Sequence, residues 1–212
     1  VDTPTAEWLG RVPYRESLFF QKYWVEKACS CGEERLLFLE HEPVFTIGKT
    51  RDKSSLLDPD HLPFPLHYIN RGGQATYHGP GQLVCYPILN LASRGRDLHR
   101  YLHFLEGVLI ELLREYGLSG ERKKGFTGVW IENRKIASIG IGVRQWISMH
   151  GFALNVTKGL TGFSSIVPCG ISGVVMTSLS QETGLEIDIY EVVEVAKAAF
   201  LGLLGNLPDG QF

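Results

Sequence analysis

From Leu98 to Leu113 the apolar side chains recur at Leu98, Tyr101, Leu102, Leu105, Val108, Leu109, Leu112 and Leu113, the three-and-four spacing of one helix face. Asp97 stands before the run as an N-cap and Gly117 after it as a stop, so this pattern predicts a helix. A second helix is predicted over residues 14–28, with Pro13 in its first position and Gly32 just past its end. A last one begins at Asp188, with Glu191 in capping-box position, and turns Val192, Val193, Ala196, Phe200 and Leu203 inward. Shorter apolar runs at 35–40, 44–47, 66–70, 83–91, 129–131, 135–143 and 146–156 read as strands, and Glu132-Asn133-Arg134 reads as a hairpin turn. Residues 48–65 form the longest irregular piece, and loops of that length are uncommon unless they carry function. Strands fill the middle at hairpin-like spacing, with long helices at the start, centre and end. The expected fold is α+β: a mixed, largely antiparallel sheet packed by helices, one domain over residues 1–212.

Composition narrows the function classes. Hydrophobic residues make up 44% and charged residues 21%, ordinary globular usage that excludes disorder and coiled coil. No apolar run approaches the roughly 20 residues of a membrane span, so no membrane association is expected. Twenty-one basic residues against 23 acidic ones give a net charge of −2, which disfavours a nucleic-acid partner. The chain starts at Val1, which leaves open whether a Met or leader was trimmed; the first residues resemble neither a signal peptide nor a transit peptide. Cysteines stand at 29, 31, 85 and 169, without CxxC spacing or a second pair for zinc, and a reducing cytoplasmic setting is expected.

Four features bear on chemistry. Cys169 lies between Pro168 and Gly170 in a Gly/Ser-rich loop; a lone Cys is usually an inert buried group, but this flanking presents the thiol rather than packing it. As a nucleophile it needs a partner that favours thiolate. Lys135 opens an otherwise apolar strand. It is either a solvated residue after a turn, or a desolvated amine whose charge favours thiolate and whose burial favours its own base form. In the second case its nitrogen is expected within about 4–6 Å of the Cys169 sulfur. Among the histidines, His99 and His103 have a ligand-like spacing on the central helix but lack a third ligand, so no metal is expected. His78 and His150 each precede a glycine and are the stronger candidates for a site. Arg71-Gly72-Gly73 lacks the P-loop and Rossmann patterns, so its glycines, like Gly140 and Gly142 farther on, suggest a flat surface for an apolar chain.

Five blocks in order, His41-Glu-Pro-Val-Phe-Thr-Ile-Gly48, the run from Arg71-Gly-Gly-Gln-Ala-Thr-Tyr-His-Gly-Pro-Gly-Gln to Pro87, Arg134-Lys-Ile-Ala-Ser-Ile-Gly140, His150-Gly-Phe-Ala-Leu-Asn-Val156 and Pro168-Cys-Gly-Ile171, resemble the lipoyl(octanoyl) transferases. Ala75 and Cys85 depart slightly from that pattern, at positions where a β-branched and a small residue are usual. The resemblance implies a fold like that of biotin and lipoyl protein ligases. It also implies transfer of an octanoyl group from acyl carrier protein to a lysine of a lipoyl domain, the acceptors being 2-oxoacid dehydrogenase E2 subunits and the glycine cleavage H protein. Neither cofactor nor metal is implied, and a monomer is expected. Carried onto this chain, Cys169 becomes the acyl acceptor and Lys135 the residue that tunes it. The acyl walls become Arg71, Gly72, Gly73, Gln74, Ala75, Thr76, Tyr77 and His78, with Ser138, Ile139, Gly140, Gly151, Phe152 and Ala153. Amides near Gly170 or Gly72-Gly73 are expected to hold the oxyanion. Two other readings stand beside it: an ATP-using lipoate–protein ligase, against which Pro168-Cys169-Gly170 argues, and a non-catalytic carrier-binding module, which would lack the Cys and Lys pair.

Overall fold

The computed structural model of the chain describes residues 3–49, 51–170, 173–207 and 211–212. In chain order its elements are β1 Thr5–Val12, α1 Tyr14–Cys31, β2 Arg35–His41, β3 Val44–Ile47, β4 Leu66–Tyr68, β5 Thr76–His78, β6 Gln82–Ile88, α2 Leu98–Glu115, β7 Glu121–Lys123, β8 Phe126–Ile131, β9 Arg134–Arg144, β10 Ile147–Asn155, β11 Val175–Met176, α3 Leu179–Thr183 and α4 Ile189–Gly205. A large sheet runs β1-β2-β6-β10-β9-β8-β7, with β11 added beside β9, and a small sheet runs β4-β3-β5. Pairing is antiparallel except at β1–β2, β9–β11 and β3–β4. The α+β class with a mixed, mostly antiparallel sheet is therefore observed.

The caps act where the sequence places them. Asp97 accepts from the amides of His99 and Arg100, and Asp188 accepts from Tyr190, which satisfies donors that each first turn leaves open. Pro13 is the N-cap of α1 rather than its first helical residue; its carbonyl already accepts from Glu16 and Ser17 while its own backbone is extended. Gly32 ends α1 in the left-handed conformation, at φ 74°. On one face of the large sheet, α2 and α4 bury Leu105, Val108, Leu109, Leu112, Val192, Val193, Ala196 and Phe200 against Phe38, Leu83, Phe152 and Leu154. Each of the leucine, valine and phenylalanine side chains contributes about 1.5–3 kcal/mol. On the other face α1 packs Val25 and Ala28 against Leu37, Leu39, Val84, Tyr86 and Ala153. The small sheet stands beside α1 on this second face, and the space between the two sheets is the site.

Candidate active site

The floor of a cleft is made by β6, β10 and β9, and its opposite wall by β5 and the loop before it. Strand pairing sets Ala153 across from Val84 on one side and Ser138 on the other, and Gly151 across from Gly140. These small residues keep the floor low. Arg71, Gly73, Gln74, Thr76, His78, Ile139 and Phe152 complete the expected lining, and Val84, Tyr86 and His150 add to it. Gly72 lines a neighbouring cavity with Lys135. Two expected wall residues face away. Strand alternation that turns Thr76 and His78 to the cleft turns Tyr77 the other way, onto Phe45, Phe64 and Phe163, and Ala75 is buried in that same cluster.

The loop between β4 and β5 is clamped by its own arginine. Buried Arg71 donates to the carbonyls of Gly72 (2.8 Å), Thr46 (2.9 Å) and Gln74 (2.9 Å) and to the Thr46 hydroxyl (2.9 Å). The loop lies directly on β9: a methyl at Gly140 would meet Arg71 Cδ at 2.9 Å, and one at Gly142 would meet the Asn70 carbonyl at 2.6 Å. The flatness of β9 thus serves the close approach of this loop, as well as any ligand. The Gly72 amide donates to Ile141 and the Gly170 amide to Val167, so both expected oxyanion donors are engaged within the chain.

Lys135 is 1% exposed. Its ammonium donates to the Thr127 carbonyl at 2.9 Å and sits 5.2 Å from the centre of the Trp130 ring. A bulge between β8 and β9 and the added strand β11, whose Met176 pairs with Lys135, wrap this residue from both sides. The solvated reading of Lys135 is excluded. Its cavity shares Gly73, Gln74, Ile139 and Gly140 with the cleft. Pro168–Gly170 forms a single 3-10 turn, and Gly170, at φ 67°, lies so close to Gln74 that a β-carbon there would collide with the Gln74 amide. Upstream, Ser55 accepts from the Val167 amide and Leu57 donates to Ser165, so the 48–65 segment holds this turn against the loop. The turn that carries Cys169 thus abuts the loop that lines both cavities. The Cys169 thiol itself, and the distance expected from it to Lys135, lie outside the described residues.

At the cleft's far side is a buried group of rings. His41 donates through Nδ1 to the Val12 carbonyl at 2.8 Å and accepts from the Tyr86 hydroxyl at 2.7 Å. His78 donates through Nδ1 to Gln82 at 2.8 Å, and the Gln82 amide donates to Tyr77 and Asn155. Burial pulls the pKa of His41 down to about 4, that of His78 to about 3, where His41 adds to the effect, and that of His150 to about 4. All three are neutral at pH 7. Because the folded values lie below the unfolded value of about 6.5, their contribution is complete above pH 6.5. It is lost as pH falls toward 4, the unfolded chain taking up protons first. At pH 5 the loss is about 2 kcal/mol for each, so together they offset a large part of an ordinary stability of about 5–15 kcal/mol. Urea midpoints are expected to fall steeply from pH 7 to pH 5, and His78→Gln is expected to flatten that slope by about one proton. An equal slope in wild type and variant would contradict the neutral-cluster assignment.

The remaining candidates are peripheral. His99 and His103 are exposed on α2, and no group of three or more His, Cys, Asp or Glu among the described residues is arranged to hold a metal ion. Cys85 is fully buried, which pushes its thiol well up, and Cys29 and Cys31 are exposed at the end of α1. No described helix is long and apolar enough to cross a membrane.

Residues 13–201 match the family model of the lipoyl protein ligase A/B catalytic domain. The chain is 52% identical over 201 residues to the octanoyltransferase of Citrifermentans bemidjiense, covering 94% of this chain and 97% of that one. To the octanoyltransferase of Geobacter sulfurreducens it is 50% identical over 203 residues, covering 95% and 85%. Among solved structures, lipoate-protein ligase A bound with ATP superposes with a TM-score of 0.81 at 17% identity, over 96% of this chain and 86% of that one. Biotin protein ligase from Aquifex aeolicus gives 0.56 at 16% identity, over 96% and 70%. At those identities the superpositions speak for the shared fold alone.

Proposed function

The chain belongs to the octanoyltransferases of the lipoyl protein ligase A/B catalytic-domain family, which are acyltransferases, and from that premise we propose that it carries octanoyl from an acyl carrier protein to a lysine of a lipoyl domain through a thioester on Cys169. The observation that supports this reading is the buried ammonium of Lys135, set in a cavity that shares the wall residues Gly73 and Gln74 with the cleft, with the Cys169 turn against that same loop. The Cys169 thiolate attacks the carbonyl of the carrier thioester; the bond to the carrier sulfur breaks, and the departing sulfur takes a proton from the Lys135 ammonium, which is left as a neutral amine. The acceptor amine then attacks the acyl-Cys169 carbonyl, an amide forms, and the Cys169–acyl bond breaks. The proton lost by the amine passes to a base, a role assigned to Lys135. A thioester is exchanged for a thioester and then for a more stable amide, so the sequence needs neither nucleotide nor metal. The acceptors in this reading are E2 lipoyl domains and the glycine cleavage H protein, the working unit is a monomer, and the setting is the cytoplasm.

Dialysed enzyme treated with apyrase is expected to octanoylate an apo lipoyl domain from octanoyl-carrier at the same rate as untreated enzyme. A strict need for ATP would move the chain to the ligase reaction.

A further inference from the structure

Two basic stretches flank the cavity that holds Lys135. The β7–β8 turn carries Arg122, Lys123 and Lys124, and the next three residues, Gly125, Phe126 and Thr127, line that cavity. The segment after β3 carries Lys49, Arg51 and Lys53. It is tied to another part of the lining, the loop with Gly72, Gly73 and Gln74. There the Lys49 amide donates to the Arg71 carbonyl at 3.1 Å, and the Gln74 side-chain amide donates to Asp52 at 3.1 Å. Six cations thus border one cavity in a chain whose net charge is −2.

The carboxylates of these segments do little to offset them. Among the described residues, Arg122 is the one of the six in an ion pair, with Glu106 at 3.1 Å. Glu106 also accepts from the Gly128 amide, and Asp52 accepts from the amide and hydroxyl of Ser54. Glu121, exposed at the start of β7, is the third acid. Lys49, Arg51, Lys53 and Lys124 are all exposed.

Lys123 links this rim to the reacting end. Its ammonium stands 5.0 Å from the centre of the Trp130 ring, and the Lys135 ammonium 5.2 Å from the same centre. Phe126 meets Trp130 edge-on at 6.2 Å and is 43% exposed, an apolar lip between the cations and the interior. Lys135 donates to the Thr127 carbonyl, three residues past Lys124, so at most about 10 Å of backbone separates the rim from the buried amine.

We propose that this rim is the docking surface for the acyl carrier protein, binding the phosphate at the root of its pantetheine arm and the acidic side chains around it. The inference rests on the acyltransferase reading above and deepens it. Lysine and arginine give phosphate and carboxylate charge-assisted hydrogen bonds. The arm has the backbone length of about four residues, roughly 14 Å when extended. That length carries the thioester from an outstretched Lys124 side chain to the Lys135 ammonium. The acceptor instead presents a lysine, a cation that a basic rim repels, so this surface favours the donor half of the reaction.

The experiment compares octanoyl-carrier with octanoyl-pantetheine, which lacks both phosphate and protein, in wild type, Lys53→Glu, Lys124→Glu and the double variant. Acyl-enzyme formation is read by intact mass, and folding by the melting temperature. With octanoyl-carrier, kcat/KM is expected to fall at least tenfold in the double variant and less in each single one. With octanoyl-pantetheine it is expected to stay within twofold. Wild-type kcat/KM for the carrier is expected to fall as salt rises from about 0.05 to 0.3 M, and the double variant to lose that dependence. An equal loss with both donors, or no loss with the carrier, overturns the proposal. So does a loss confined to transfer from preformed octanoyl-enzyme to the lipoyl domain, which would make the rim the acceptor's surface. A wild type that transfers no acyl group from any donor counts against the acyltransferase reading instead. Calorimetry with the holo-carrier then decides the rim by itself: binding weakened tenfold in the double variant supports it, and equal affinity or no binding overturns it.

Discussion

Cys169→Ala is expected to form no acyl-enzyme and to lose transfer by about a thousandfold or more, the scale seen when a covalent nucleophile is removed. The expectation follows from the division of labour in the proposed reaction. In that reaction the acyl group waits on the enzyme between the carrier and the acceptor. The other three cysteines are placed away from the cleft. Cys85 is in the core under α2, with its thiol held protonated by burial. Cys29 and Cys31 sit at the far end of α1, where the Cys29 thiol meets Gln145 and the Cys31 thiol donates to the Lys27 carbonyl. Intact mass after incubation with octanoyl-carrier reads the result directly. A triple Cys29/Cys31/Cys85→Ala variant is expected to gain one octanoyl mass and Cys169→Ala none. Octanoyl mass on Cys169→Ala would sink the assignment.

Local signals carried far along this chain, and long-range ones did not. The helices α2 and α4 are legible because cap and periodicity are both written within one segment. β1 was missed because it is an edge strand whose alternation breaks at Gly10, at a shift in its pairing with β2 between Trp8 and Arg11. The cleft lining from β9 and β10 could be named from the resemblance, but its facing could not: Ala75 and Tyr77 belong to the same block as Thr76 and His78, and only the pleat of β5 divides them. Val84 and Tyr86 read as plain strand residues, and their place on the floor comes from pairing with β10. His150 drew attention as a histidine before a glycine, yet its backbone, at φ 57°, donates to Gln21, 129 residues away. Lys135 shows the limit most clearly. In the sequence it follows a turn, and such residues normally reach water; the bulge in β8 and the arrival of β11 from beyond residue 170 are what bury it.

Lys135→Met is therefore expected to separate burial from chemistry. Methionine matches the side chain as far as Cε and keeps the apolar contacts beside Trp130 and under Gly128, where Lys135 Cε stands 2.9 Å from the position a β-carbon would take. What it removes is the charge and the proton acceptor, and it leaves the Thr127 carbonyl without this donor, at a cost of about 1–3 kcal/mol. Acylation of Cys169 and transfer to the acceptor lysine are both expected to slow by about a hundredfold or more, the range for a general base together with the loss of the charge that favours thiolate. Lys135→Arg is expected to restore neither the packing nor the second step. A planar guanidinium does not fit between Gly128 and the Trp130 ring, and it keeps its proton at any working pH. The rate of Cys169 alkylation against pH, measured in wild type and both variants, isolates the effect on the thiol, because alkylation needs no acceptor and no base. A profile moved to higher pH in Lys135→Met, with a lesser movement in Lys135→Arg, is the expected result. Single-turnover transfer from preformed octanoyl-enzyme isolates the second step, and there both variants are expected to fail alike. Full transfer by Lys135→Met would remove the amine from the reaction. Cys169 would then need another activator, and His78, neutral and bound to Gln82 across the cleft, would be the next group to test.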